Sequence, residues 1–383
     1  MNLRGNNHIK PGKTALVLGG GGVLGACYEV GALLALNHLF AGRTVNDFDI
    51  YVGTSAGAFV ASLLANGLTP AEMVDVMASA NPRLRGLRAE DIFTWNTSGL
   101  CRWAARLPLT LLRSAQSSWP PSAAGLFFSM SEAMLPGLFD GVGLERFLAD
   151  AFQRLGGTNR FNRLRHELYI LATDLKSGQR AIFGEDALAG PAISRAVAAS
   201  SALPLIYKPV QIGHRLYVDG GLRGNAGPDV AIGHGARLVV CLNPLVPYTP
   251  AEAATAGDDD STAGLAWQAL RIMAHAGMHD QIEHLRERHP EVDIVCIEPG
   301  CDEAQLLTPN IMHYSARARL LRRACQSAEA SLVRQRATLA EIFSRHGLIS
   351  QPPAPLDVPS RLVADEWHAS LARIDRTLSQ LAK

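Results

Sequence analysis

Residues 15–18, ALVL, are apolar without interruption and run into four consecutive glycines. Beyond the glycines, apolar residues recur at near-helical spacing. The pattern predicts a strand over 14–19 and a helix over 23–40. A second apolar run at 48–52 predicts a second strand, which enters the turn GTSAG and then a helix over 56–66. The alternation resumes in LYILATDLKSG and QRAIFG, both read as strands, and in a helix over 193–200. Further strands are expected in YKPVQIG, RLYVDGG and ARLVVCLNP. Strands rich in β-branched residues and separated by helices imply a mostly parallel sheet covered on both faces.

The expected fold is therefore α/β, a three-layer α/β/α domain over residues 14–240. Its rhythm breaks at 82–138, where Trp95, Trp103, Trp119, Phe127 and Phe128 stand among prolines, glycines and serines. That aromatic-rich insertion is expected either to pack over the sheet or to form a cover that meets a lipid surface. Residues 241–383 read as a mainly helical extension. It starts with the surface loop AEAATAGDDDST, continues with helices over 263–288 and 310–343 around the strand VDIVCIEP, and closes with a short helix after QPPAPLDVP. The second of these helices carries Arg317, Arg319, Arg322, Arg323, Arg334 and Arg336 beside an apolar stripe. It is expected to be a packed helix with a solvated face, or else a peripheral contact for anionic lipid. No internal repeat is present.

Composition narrows the choice of function. The 383 residues include 36 basic and 35 acidic side chains, a net charge of +1, which argues against nucleic acid as the partner. Cys27, Cys101, Cys241, Cys296, Cys301 and Cys325 form no C-x-x-C pair, so the spacing suggests neither a metal site nor a disulfide framework. The first thirteen residues contain no apolar core of a signal peptide, and no run of about 18 apolar residues is evident. A cytoplasmic protein is expected.

Candidate chemistry gathers at the strand ends. Gly20 to Gly25 satisfy G-x-G-x-x-G, but a dinucleotide site needs an acid at the end of the second strand. That place holds Val52-Gly53-Thr54, and Asp49 stands at the strand's beginning. GTSAG, residues 53–57, is instead a G-x-S-x-G between strand and helix, a turn that pushes the Ser55 hydroxyl out of the backbone. The plainer reading is a serine that merely caps the helix. A glycine loop one strand upstream, with donors for an oxyanion, favours the nucleophile.

No histidine stands in a context that marks it as the base. His214 falls in an expected turn, and His234, His275, His279 and His284 fall on helical stretches as surface or packing residues. Asp219, in RLYVDGGLRGNAG, ends a strand and precedes two glycines. It is the better base, although D-G-G is also common turn chemistry.

GGGGVLG, GTSAG and DGG, in that order and each at a strand end, resemble the patatin-like phospholipases. ASSALPLIYKPVQI, residues 199–212, is similar to the segment that precedes the aspartate in that family. The resemblance covers about residues 14–240. It implies a Ser55–Asp219 dyad, an oxyanion hole from the amides of Gly20, Gly21 and Gly22, and motif roles for Gly25, Gly53, Gly57, Gly220 and Gly221. It implies hydrolysis of phospholipid, lysophospholipid or acylglycerol esters without metal or organic cofactor, with possible peripheral contact to a membrane. One position departs from the family, which carries Arg or Lys where this chain has Leu24. A Ser–His–Asp esterase and a non-catalytic lipid- or nucleotide-binding module stay open as alternatives.

Overall fold

The computed structural model describes residues 12–101, 105, 137–247, 262–300 and 317–349. The expectations for Trp103, Trp119, Phe127, Phe128 and the final short helix lie outside the described residues. The first half contains β1 (Lys13–Leu18), α1 (Gly22–Leu39), β2 (Ile50–Thr54), α2 (Ala56–Ala65), α3 (Pro70–Met77), α4 (Ala89–Ile92), β3 (Thr94–Trp95), β4 (Phe139–Asp140) and α5 (Val142–Arg154). Then come β5 (Glu167–Asp174), β6 (Arg180–Phe183), α6 (Ile193–Ser200), β7 (Val210–Ile212), β8 (Arg215–Asp219), α7 (Pro228–Gly233) and β9 (Ala236–Leu242). The last elements are α8 (Thr262–Arg288), β10 (Asp293–Ile297), α9 (Arg317–Arg334) and α10 (Arg336–Arg345).

An eight-stranded sheet runs in the order β10-β9-β1-β2-β5-β8-β7, with β6 also paired to β5. Every pair from β10 to β5 is parallel, whereas β6 and β8 pair antiparallel with β5 and β7 pairs antiparallel with β8. Alternate residues of each strand point to opposite faces. Leu16, Leu18 and Tyr51 therefore join a core with α1, α2, α6 and α9, while Ala15, Val17, Ile50 and Val52 join one with α7 and α8. This is the expected three-layer arrangement.

α1 is apolar around its whole circumference because it is enclosed by protein. It is long and apolar enough to cross a membrane, contrary to the sequence expectation, but 78% of that stretch is buried inside the fold. Sheet on one side and α9 on the other account for the burial: a Cβ on Gly31 would meet the Cys325 amide nitrogen at 2.8 Å. α9 turns Leu321, Ala324, Cys325, Ala328 and Leu332 into this core and leaves Arg323 and Arg334 exposed. The single helix expected over 310–343 is broken at Gln335 into α9 and α10. The stretch after residue 240 thus supplies an edge strand, β10, and part of both cores.

Candidate active site

Ser55 lies between β2 and α2 with φ 53° and ψ −117°, a conformation that costs a non-glycine residue about 1–3 kcal/mol. Tight neighbours hold it there. A Cβ on Gly57 would stand 2.3 Å from the Leu18 carbonyl oxygen, so only glycine lets α2 start this close to β1. Ser55 N–H donates to Ser200 Oγ at 2.8 Å, and the Ser200 hydroxyl donates to Leu171 O at 2.5 Å. Ser201 Oγ donates to Ser55 O at 3.3 Å.

Asp219 reaches Ser55 through strand pairing. β2 pairs with β5 up to Thr54↔Leu171, and β8 takes over at Asp219↔Ala172. β6 pairs with Ile170–Thr173 of β5 and overlaps both, so β2 and β8 share the opposite edge of β5. Their C-terminal ends therefore abut. The backbone of Asp219 is pinned by its N–H to Ala202 O at 3.0 Å and by Thr173 Oγ1 to its carbonyl at 3.0 Å. The segment Ser200–Ala202 thus holds both Ser55 and Asp219.

The Asp219 side chain is 4% exposed. Its carboxylate accepts from Gly221 N–H at 2.8 Å, and the Ser55 hydroxyl lies close enough to lower its pKa. Burial pushes its pKa up to about 6, and these two neighbours oppose the rise. A carboxylate of that pKa is ionised near neutrality and can still take up a proton.

The glycine loop corrects one expectation. Gly20 N–H is already engaged by Asn225, at 2.9 Å to Oδ1 and 3.2 Å to the carbonyl. A satisfied amide is not a free oxyanion donor. The amides of Gly21 and Gly22 have no partner among the described residues. Of the other motif glycines, Gly25 lies in the first turn of α1, Gly53 in β2, and Gly220 and Gly221 in the short turn after β8. Leu24 is buried.

Ser55, Asp219 and Gly20 to Gly22 all line one cavity of about 150 Å³. Its other walls are largely apolar, from Val23, Phe59, Met77, Leu144, Leu203, Ile206 and Leu222. Trp267, Leu270 and Ala274 of α8 complete it, so the C-terminal part builds a wall of the site. No histidine lines the cavity among the described residues. His234 stacks on Tyr169 instead, with ring centroids 4.1 Å apart.

Asn225, Ser200 and the α8 wall were not singled out from sequence. The only local signal for Asn225 was a polar residue among Gly224, Ala226 and Gly227, directly after the D-G-G turn. Among the described residues, one group could hold a metal: His275, His279 and Glu298.

The family model described as patatin-like phospholipase matches residues 16–232, which take in both candidate dyad residues and the glycine loop. The chain belongs to the patatin-like phospholipase family. A protein of Invertebrate iridescent virus 6 named "Probable lipid hydrolase 463L" is 23% identical to this patatin-like chain over 217 residues, 57% of this chain and 62% of that protein. The match thus spans less than two thirds of that relative. Among solved structures, VipD from Legionella pneumophila is similar at 14% identity and a TM-score of 0.35, over 84% of this chain and 67% of VipD.

Proposed function

We propose that this patatin-like protein hydrolyses carboxylic esters of lipids, with Ser55 as nucleophile and Asp219 as base. The observation that carries the reading is that Ser55 and the buried Asp219 carboxylate line the wall of one apolar cavity, the Ser55 hydroxyl acting on a carboxyl whose pKa burial raises to about 6. An apolar cavity suits an acyl chain, and the fatty esters of phospholipids, lysophospholipids and acylglycerols share that part.

In this mechanism Ser55 Oγ attacks the ester carbonyl carbon as its proton passes to Asp219. The negative charge that develops on the carbonyl oxygen is met by the Gly21 and Gly22 amides at the N-terminus of α1. Collapse of the tetrahedral species expels the alcohol, which takes the proton from Asp219 and leaves an acyl-serine. Water then attacks the acyl carbon, Asp219 accepts its proton, and the second collapse returns that proton to Ser55 and releases the fatty acid. The strained turn, held by Ser200 and Ser201, keeps Ser55 oriented throughout.

A serine-reactive fluorophosphonate probe tests the reading directly. Covalent labelling of the wild type and none of Ser55→Ala is the expected result. An unlabelled wild type would leave a binding module as the better description.

A further inference from the structure

Three side chains outside the dyad converge behind the glycine loop. His275 and His279 stand one turn apart on α8, and Glu298 directly follows β10. Their donor atoms all lie within 4.8 Å of one another. Glu298 Oε2 is 3.5 Å from His275 Nε2 and 3.2 Å from His279 Nε2. Two ligands of a tetrahedral zinc ion, with bonds of about 2.0–2.1 Å, stand about 3.3–3.4 Å apart. Both imidazole–carboxylate pairs are already near ligand spacing.

One carboxylate oxygen is approached by the Nε2 atoms of two rings whose centroids are 4.3 Å apart, so three donor atoms face a common point. A divalent cation meets two neutral imidazoles and a carboxylate together, and that donor set suits the zinc class. The site also has supporting polar groups of the kind that orient ligands. Asn243 Nδ2 donates to Glu298 Oε2 at 3.2 Å, Asn225 Nδ2 to Asn243 Oδ1 at 3.0 Å, and Gly20 N–H to Asn225 Oδ1 at 2.9 Å. Both asparagines are buried.

We propose that His275, His279 and Glu298 bind a divalent transition-metal ion of the zinc class, with water in the fourth position. The His279 side chain is 41% exposed, which provides a route of entry. The ion ties α8 to the β10 edge of the sheet. It also fixes the end of the Glu298–Asn243–Asn225–Gly20 chain, and so braces the glycine loop from behind. Ala274, the neighbour of His275, lines the candidate active-site cavity, so the wall next to the site depends on the same tether.

The test is calorimetric titration of Zn2+ into the chelator-treated full chain, with no substrate present, so its outcome is separate from that of the hydrolase reading. One ion per chain is expected, with a zinc-dependent rise in melting temperature and, on replacement by Co2+, the strong visible absorption of a tetrahedral site. Asn243→Ala should weaken binding about 10–100-fold, as loss of an orienting partner does. His279→Ala and Glu298→Gln should weaken it further and remove the thermal shift. Circular dichroism of the metal-free variants controls for folding, and His275→Gln serves as a second ligand change if either variant misfolds. Equal zinc affinity in the wild type and the ligand variants, or no zinc-dependent change in melting temperature, would overturn the proposal.

Discussion

Ser55 and Asp219 each give up something for their place in the cavity. Ser55 sits at positive φ, and Asp219 is a carboxyl taken out of water, with its pKa pushed up to about 6. Ser55→Ala and Asp219→Asn are each expected to abolish ester turnover while the fold persists. In the proposed mechanism the two act as a unit, so the double variant should be little worse than either single one. Asp219→Asn with more than about a tenth of wild-type kcat/KM would remove Asp219 as the base.

The pH profile of the wild type follows from the same residue. The base must be ionised in the free enzyme, so kcat/KM should climb as pH rises through about 6 and level off above it. A flat profile between pH 5 and 8 on a soluble ester would count against it. Leu24 makes a different prediction at the same scale. It is buried, so Leu24→Arg loses roughly 1.5–3 kcal/mol of apolar burial and places a charge where no partner was built. A lower melting temperature without faster turnover is expected, and a stable variant with tenfold higher turnover would contradict it.

α1 shows what an element gains and loses by being enclosed. Its apolar circumference is used on every side, yet Glu29 lies within it fully buried, and neither carboxylate oxygen has a hydrogen-bond partner among the described residues. Burial holds its pKa well above the usual carboxylate range. The folded state therefore keeps a proton that the unfolded chain releases above about pH 4.3, and stability falls as pH rises from there toward the folded pKa. Glu29→Gln removes the titration at nearly constant shape. Its melting temperature should exceed that of the wild type at pH 8 by about 2 °C or more, and the gap should narrow toward pH 5. Thermal melts at the two pH values decide it.

Across the whole molecule, the cavity opens among apolar groups that face solvent. Leu205, between the cavity residues Leu203 and Ile206, is 71% exposed and has φ 72°, and Leu222 of the cavity wall is 50% exposed. If the lipid is met at a surface, Leu205→Ser removes a side chain whose burial is worth about 1.5–3 kcal/mol, or roughly tenfold or more in binding. Hydrolysis of phospholipid vesicles should fall by that order while a short soluble ester is turned over as before. Equal losses on both substrates would place Leu205 in the fold rather than at a lipid contact.

The sequence determined what depends on neighbours along the chain. The strand–glycine–helix unit before α1, the sharp turn at Ser55 and the D-G-G turn after β8 are local geometries, and their residues state them: glycines where backbone must approach backbone, β-branched runs where strands are covered on both faces. Tertiary structure decided everything that joins segments far apart. β6 takes one edge of β5, so β8 must continue the edge that β2 leaves, and only that pairing brings Asp219 to Ser55. Gly20 reads as an oxyanion donor until Asn225, from another loop, occupies its amide. Histidines 275 and 279 read as surface positions on a helix until β10 joins the sheet and carries Glu298 between them. Hydrogen bonds and burial across such distances depend on sheet order and crossover, and no local spacing of residue types encodes either.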